Sequence, residues 1–247
     1  MDKTAARLPR KDTMVKLPSF LCCAVMGTIA AVCMLLGPSD AASSPPQEKL
    51  SDVFAPKMLG ADLAFFEKVT GPARNTFGDT KTYDFAGCEI SAGVAGGTVE
   101  SLSISLSPKC TFDLNPFLPN FAGKIPKLVA MTFGQFDKLS QSQGTFYADC
   151  LSECGNAYDP VVYEHWSSSR ADGFLEVMLG ATQTGDAVLD AADSWQSAME
   201  KAEGADWVQE RKFNCAPKHD QVAHEAFRNV AIDQITIGHQ LRLPSCD

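Results

Sequence analysis

The chain has 247 residues, 45% of them hydrophobic and 21% charged, with a formal net charge of −9. That is enough apolar material to bury a sizeable core in one large domain or two small ones. The acidic balance repels phosphate backbones and argues against a nucleic-acid partner.

The first element is an export segment over residues 1–41. Ser19 to Leu36 carries no charge, and Lys3, Arg7, Arg10, Lys11 and Lys16 precede it against only Asp2 and Asp12. A positive flank before an apolar stretch is common to signal peptides and membrane anchors. Gly37-Pro38 breaks the run, and Ser39-Asp40-Ala41 supplies small residues for cleavage after Ala41. The expectation is a periplasmic or secreted protein after cleavage, with a single-pass inner-membrane anchor as the alternative. Starting at Met14 would give a compact signal peptide, so Met14 is an alternative start. Beyond residue 41 the net charge is −11, since residues 1–41 hold five of the basic and three of the acidic residues.

Residues 42–57 are small, polar and proline-containing, and read as a linker to a soluble domain over 58–247. Leu59, Leu63, Phe66 and Val69 have helical spacing, and Gly71 stops the helix. Strands follow at Thr82–Phe85, Cys88–Val94 and Thr98–Leu106, turning at Ala86-Gly87 and Ala95-Gly96-Gly97. In the third, Leu102, Ile104 and Leu106 alternate with serines, which buries one face.

A second unit begins with a helix at Phe133 and continues as strands Val161–Trp166 and Phe174–Leu179. A shift of 74 residues places Gly60 on Gly134, 87–92 on 161–166 and 100–105 on 174–179. This suggests a tandem helix-plus-hairpin repeat over 58–110 and 132–182. Val188, Ala191, Ala192, Trp195, Met199 and Ala202 form the apolar stripe of a helix ending at Gly204. A strand through Phe213, a helix Asp220–Phe227 and a strand Val230–Leu241 complete an α+β fold, helices on one face of antiparallel sheet.

Three cysteines (Cys22, Cys23, Cys33) lie in the export segment; Cys88, Cys110, Cys150, Cys154, Cys215 and Cys246 remain. Six cysteines in an exported chain read as disulfides. Spacing favours Cys88 with Cys110, Cys150 with Cys154, and Cys215 with Cys246, without deciding among the possible pairings.

A hairpin of the form Tyr83-x-Phe85-x-Gly87-Cys88-x-Ile90, followed by Gly96-Gly97-Thr98-Val99-x-Ser101-Leu102-x-Ile104, resembles the repeat of β-lactamase-inhibitor-like proteins and small outer-membrane assembly lipoproteins. The resemblance covers roughly residues 58–180. It implies helices on one face of an antiparallel sheet and a role in binding protein partners, and no functional residue carries over.

No hydrolase, phosphate-loop, dinucleotide or zinc-protease motif occurs. No residue is assigned as catalytic or as a metal ligand, and no cofactor is expected. Glu164-His165-Trp166 with Arg170 combines reactive groups, but a strand would point Glu164 and His165 to opposite faces. Asp220 reads as the start of its helix, and a metal site at His219, Asp220 and His224 would need further ligands from elsewhere. The stretch Phe112, Leu114, Phe117, Leu118, Phe121 and Ile125, interrupted by prolines, is an irregular apolar strap. It either completes the core or forms an exposed binding surface. The expected function is a non-enzymatic, disulfide-stabilised envelope factor that binds another envelope protein and meets the membrane only through its N-terminal segment. The alternative is a periplasmic hydrolase or thiol-redox enzyme built on His165/Arg170 or Cys150/Cys154.

Overall fold

A computed structural model describes residues 49–155, 159–170 and 173–246. The segment over residues 1–41 expected to direct export lies outside them. Among the described residues no helix is long and apolar enough to cross a membrane.

One eight-stranded antiparallel sheet organises the fold. Its strands are β1 (Asn75–Phe77), β2 (Thr80–Phe85), β3 (Cys88–Ala95), β4 (Thr98–Ser105), β5 (Thr145–Ala148), β6 (Val161–Ser167), β7 (Glu176–Thr182) and β8 (Gln234–Gly238). The order across the sheet is β1-β2-β3-β4-β8-β7-β6-β5. The last strand in sequence therefore sits at the centre and joins the strands of two meanders. Around it Leu102, Ile237 and Val177 align in one row and Ile104, Ile235 and Leu179 in the next, all buried. The alternate residues Ser103, Thr236 and Met178 face outward and are partly exposed. One face thus carries the core, as period-two patterning requires.

Helices cover that face: α1 (Leu50–Val53), α2 (Leu63–Thr70), α3 (Phe133–Ser140), α4 (Asp186–Glu203), α5 (Ala205–Gln209) and α6 (Asp220–Phe227). Asp62 caps α2 by accepting from the Ala64 N–H at 2.8 Å, and Thr132 with Gln135 forms a capping box on α3. Val188, Ala191, Ala192, Trp195 and Met199 of α4 are all buried.

The α+β expectation holds, with local corrections. Of the linker expected over 42–57, residues 42–48 lie outside the described residues, whereas Leu50–Val53 is helix α1, Val53 and Phe54 are core residues, and Phe54 stacks on Phe112 at 4.2 Å. Phe213 lies in a short 3-10 turn, Lys212–Cys215, instead of a strand. β8 is shorter than Val230–Leu241, while β1 and β5 are strands not expected from sequence.

The two units share one order, helix then strands, but not one offset. Pairing aligns Tyr83 with Phe146, Ile90 with Glu164 and Ile104 with Leu179, because Tyr83 faces Ile90 and Ile90 faces Ile104, as Phe146 faces Glu164 and Glu164 faces Leu179. A constant shift of 74 would lay Leu102 on the outward Glu176 instead of the inward Val177. A one-residue slip exchanges the faces of a strand.

The apolar strap is core. Phe112, Leu114, Phe117 and Leu118 are buried, and the half-buried Phe121 packs on Trp166 with ring centroids 5.5 Å apart. Their prolines route these side chains over the sheet, where Phe112 and Leu114, with Ile125 and Leu128, also line a pocket of about 640 Å³.

Candidate functional site

All six cysteines of the described domain are paired: Cys88–Cys110, Cys150–Cys154 and Cys215–Cys246, with Cα–Cα separations of 5.6, 5.5 and 5.8 Å. The first anchors the strap to β3. The third fixes the C-terminal tail, whose Ser245 carbonyl accepts from Asn214 at 2.8 Å.

The residues singled out from sequence do not converge. His165 points outward and pairs with Glu176 at 2.8 Å, and Glu176 also accepts from the Gln240 and Leu241 N–H groups. Arg170 is exposed. His219 pairs with Glu203 at 3.1 Å. Glu164, as the strand alternation requires, points the other way, into the core.

There Glu164 meets two residues from other elements. It is 0% exposed, beside Asp137 of α3 and His224 of α6, which are 8% and 7% exposed. One ligand-type atom from each lies within 4.8 Å of the others. Asp137 faces inward from the second turn of α3, next to the buried Phe136. His224 faces inward because Asp220, Ala223, His224 and Phe227 share one side of α6. Its ring packs edge-on against Phe146, with centroids 5.0 Å apart.

Hydrogen bonding fixes the histidine. Nε2 lies 3.0 Å from the Gly144 carbonyl oxygen, which can only accept, so Nε2 carries the proton. Nδ1 is then turned to Asp137 Oδ1 at 2.8 Å, although the two atoms are not aligned as a hydrogen bond. Neither Glu164 oxygen receives an N–H donor among the described residues; its carboxyl group lies against that of Asp137, with which its protonated form can hydrogen-bond. Gly144 has to be glycine here: a Cβ would lie 2.6 Å from Glu164 Cγ.

The electrostatics follow from burial. Desolvation, then the charge and proximity of Asp137, hold the Glu164 carboxyl well above the usual carboxylate range. Burial opposes charge on His224, but Asp137, the Gly144 carbonyl and Asp220 together outweigh it and the net shift is upward. Asp220 does not cap α6. Its carboxylate accepts from the Phe146 N–H at 3.3 Å, and burial pushes it up to about 6.

Asp137 and His224 also form part of the floor of a surface pocket of about 590 Å³ between α3 and α6, rimmed by Thr132, Gln135, Lys138, Ser142, Gln221 and Arg228. Such an arrangement can share a proton between two carboxyl groups or hold a cation against them. Asp137 was not among the residues singled out from sequence, yet a signal for it was present. Phe66-Glu67-Lys68-Val69-Thr70 of α2 is matched by Phe136-Asp137-Lys138-Leu139-Ser140 of α3, 70 residues on.

No protein-family model matches the chain, and no curated protein or solved structure matches it.

Proposed function

We propose that this chain is an exported, disulfide-stabilised envelope protein that works by binding a small polar or ionic ligand in the pocket between α3 and α6. The observation that carries the reading is Glu164: a wholly buried carboxyl group whose polar partner among the described residues is a second carboxyl group, Asp137, which lines the pocket with His224. Leaving a buried polar group unsatisfied costs about 1–3 kcal/mol. Apolar side chains would fill that place without the cost, and a ligand bound against the two carboxyl groups would offset it. The three disulfides support an oxidising compartment, in keeping with the apolar N-terminal segment.

The test uses ¹⁵N-labelled protein purified without reductant and titrated separately with acetate, inorganic phosphate and zinc chloride. Saturable shifts of α3 and α6 amides, including those of Lys138 and Gln221, are expected with at least one probe. No saturable shift there with any of the three overturns the pocket reading. Fractionation of intact cells tests export, with recovery in the cytosol as the result against it.

A further inference from the structure

The chemical class of the ligand can be narrowed further, an inference that rests on the pocket between α3 and α6 being a binding site. Three features of the Asp137–Glu164–His224 cluster point to the ligand.

The first is the buried acid. Glu164 has no exposed surface, receives no N–H donor among the described residues, and lies against a second carboxyl group, that of Asp137. Two carboxylates side by side are stabilised by a proton between them or by a cation.

The second is the histidine tautomer. With Nε2–H committed to the Gly144 carbonyl, a neutral His224 presents the Nδ1 lone pair to the cluster. Metal-bound histidines ordinarily donate their other ring N–H to a carboxylate or backbone carbonyl, which orients the ring and raises its basicity. Gly144 does this, and its missing side chain leaves the space Glu164 occupies.

The third is spacing and access. Two ligands at bonds of about 2.1 Å and at right angles sit about 3 Å apart. Nδ1 and Oδ1 are 2.8 Å apart, and all three donor atoms fall within 4.8 Å, so small side-chain rotations suffice. An ion has a route, because Asp137 and His224 line the open pocket and a Glu164 oxygen lies within 4.8 Å of their ligand atoms.

We propose that Asp137, Glu164 and His224 form a mononuclear site for a first-row divalent transition-metal ion, bound through Nδ1 of His224 and one oxygen from each carboxylate. The mixed nitrogen and oxygen donors suit zinc or manganese, and an imidazole ligand makes a magnesium or calcium site unfavourable. Three protein ligands leave a coordination position facing the pocket, for water or a ligand. The paired cysteines offer no thiolate in competition.

The test is zinc binding by the purified, unreduced protein, freed of metal with chelator and measured by isothermal titration and by elemental analysis after dialysis. One ion per chain is expected. Glu164→Gln, nearly isosteric, should weaken binding at least tenfold. Glu164→Ile, which gives this unit the residue its counterpart has at Ile90, should abolish binding and the zinc-dependent rise in Tm while leaving a folded chain. Manganese should bind more weakly than zinc and magnesium not measurably. Absence of zinc and manganese binding overturns the proposal, as does binding that Glu164→Ile leaves unchanged. Acetate or phosphate shifts in the pocket without metal binding would refute the metal assignment and leave the pocket reading standing. Failure of all three probes removes both.

Discussion

The two helix-plus-meander units solve the same packing problem with different chemistry. In the first, Phe66 of α2 lies under the sheet, Ile90 fills the centre of β3, and Glu67 stays near the surface as the acceptor of the Tyr83 hydroxyl at 3.3 Å. In the second, Phe136 takes the place of Phe66 and Asp137 that of Glu67, but Phe146 stands where Tyr83 does and Glu164 where Ile90 does. The helix acid loses its hydroxyl donor and gains a buried carboxyl and a histidine. The first unit shows that this backbone layout is content with an apolar centre. Polar groups at the same place in the second are therefore not demanded by the fold, and buried ionic groups are weak evidence for stability in general.

The largest expected effect comes from carrying the acid across. Ile90→Glu places a carboxyl group in a unit whose helix and strands hold no histidine, and where the helix acid, Glu67, is half-buried and already engaged by the Tyr83 hydroxyl. A loss of at least about 3 kcal/mol is expected, enough to unfold a large fraction of the chain. Urea denaturation checks it; a loss under about 1 kcal/mol would mean that this centre also accommodates charge and that the two units differ less than their side chains suggest. The reverse exchange, Glu164→Ile, should stabilise the metal-free chain by about 1–4 kcal/mol, as replacing buried ionic groups with packed apolar ones does. Destabilisation would mean that Glu164 is held by more than its contact with Asp137.

Next in size is the pH dependence. Glu164, Asp220 and His224 all titrate higher in the folded chain than their ordinary values. The folded state thus holds more protons than the unfolded state between the two sets of values, and stability falls as pH rises through that window. For Asp220 the window runs from 3.8 to about 6. Solvent still screens this group, so about 1 kcal/mol is expected from it, not the full linkage value. Asp220→Asn keeps an oxygen to accept the Phe146 N–H. It should raise the urea midpoint at pH 7 and flatten its change between about pH 4 and 7. A slope unchanged by this substitution would show that Asp220 does not carry the pH dependence. Zinc affinity should run the opposite way and strengthen as pH rises, because the ligands must shed protons.

Much of the first unit was legible from sequence because its signals are local. The serine alternation around Leu102 and Ile104 marked β4, and Gly96 and Gly97 marked its turn through left-handed φ values of 59° and 83°. The second unit was harder to read. β5 has four residues, and a long connection separates it from its hairpin partner β6. The turn at Phe213 takes its shape from long-range ties, with Asn214 bonded to Ala148 and Cys215 to Cys246. The site was the least legible part for the same reason. Residues 137, 164 and 224 come from α3, β6 and α6, and only the packing of α3 and α6 on each other and over the sheet brings them together. Strand alternation correctly turned Glu164 away from His165, and His224 was noted as needing partners from elsewhere. The clue to the missing partner was the pairing of Glu67 with Asp137 in matching helices, which the assumed shift of 74 residues hid.

The smallest effect sharpens the comparison from the side of the first unit. Tyr83→Phe gives β2 the residue found at the equivalent place in β5, and so removes the donor from Glu67 without a cavity. The ring of Tyr83 packs edge-on against Phe66 with centroids 5.2 Å apart, a contact phenylalanine preserves. What is lost is one hydrogen bond to a charged acceptor, but Glu67 is only half-buried and water can replace the hydroxyl. The expected cost is therefore about 0.5–1 kcal/mol, at the low end for such bonds, seen as a lower urea midpoint with an unchanged slope. Burial, and then Glu67, push the Tyr83 phenol up to about 12, so the same substitution should delete one tyrosine that ionises near that pH in an absorbance titration. A cost above about 2 kcal/mol would show that the first unit also depends on its helix acid, and that the second elaborates a polar contact common to both.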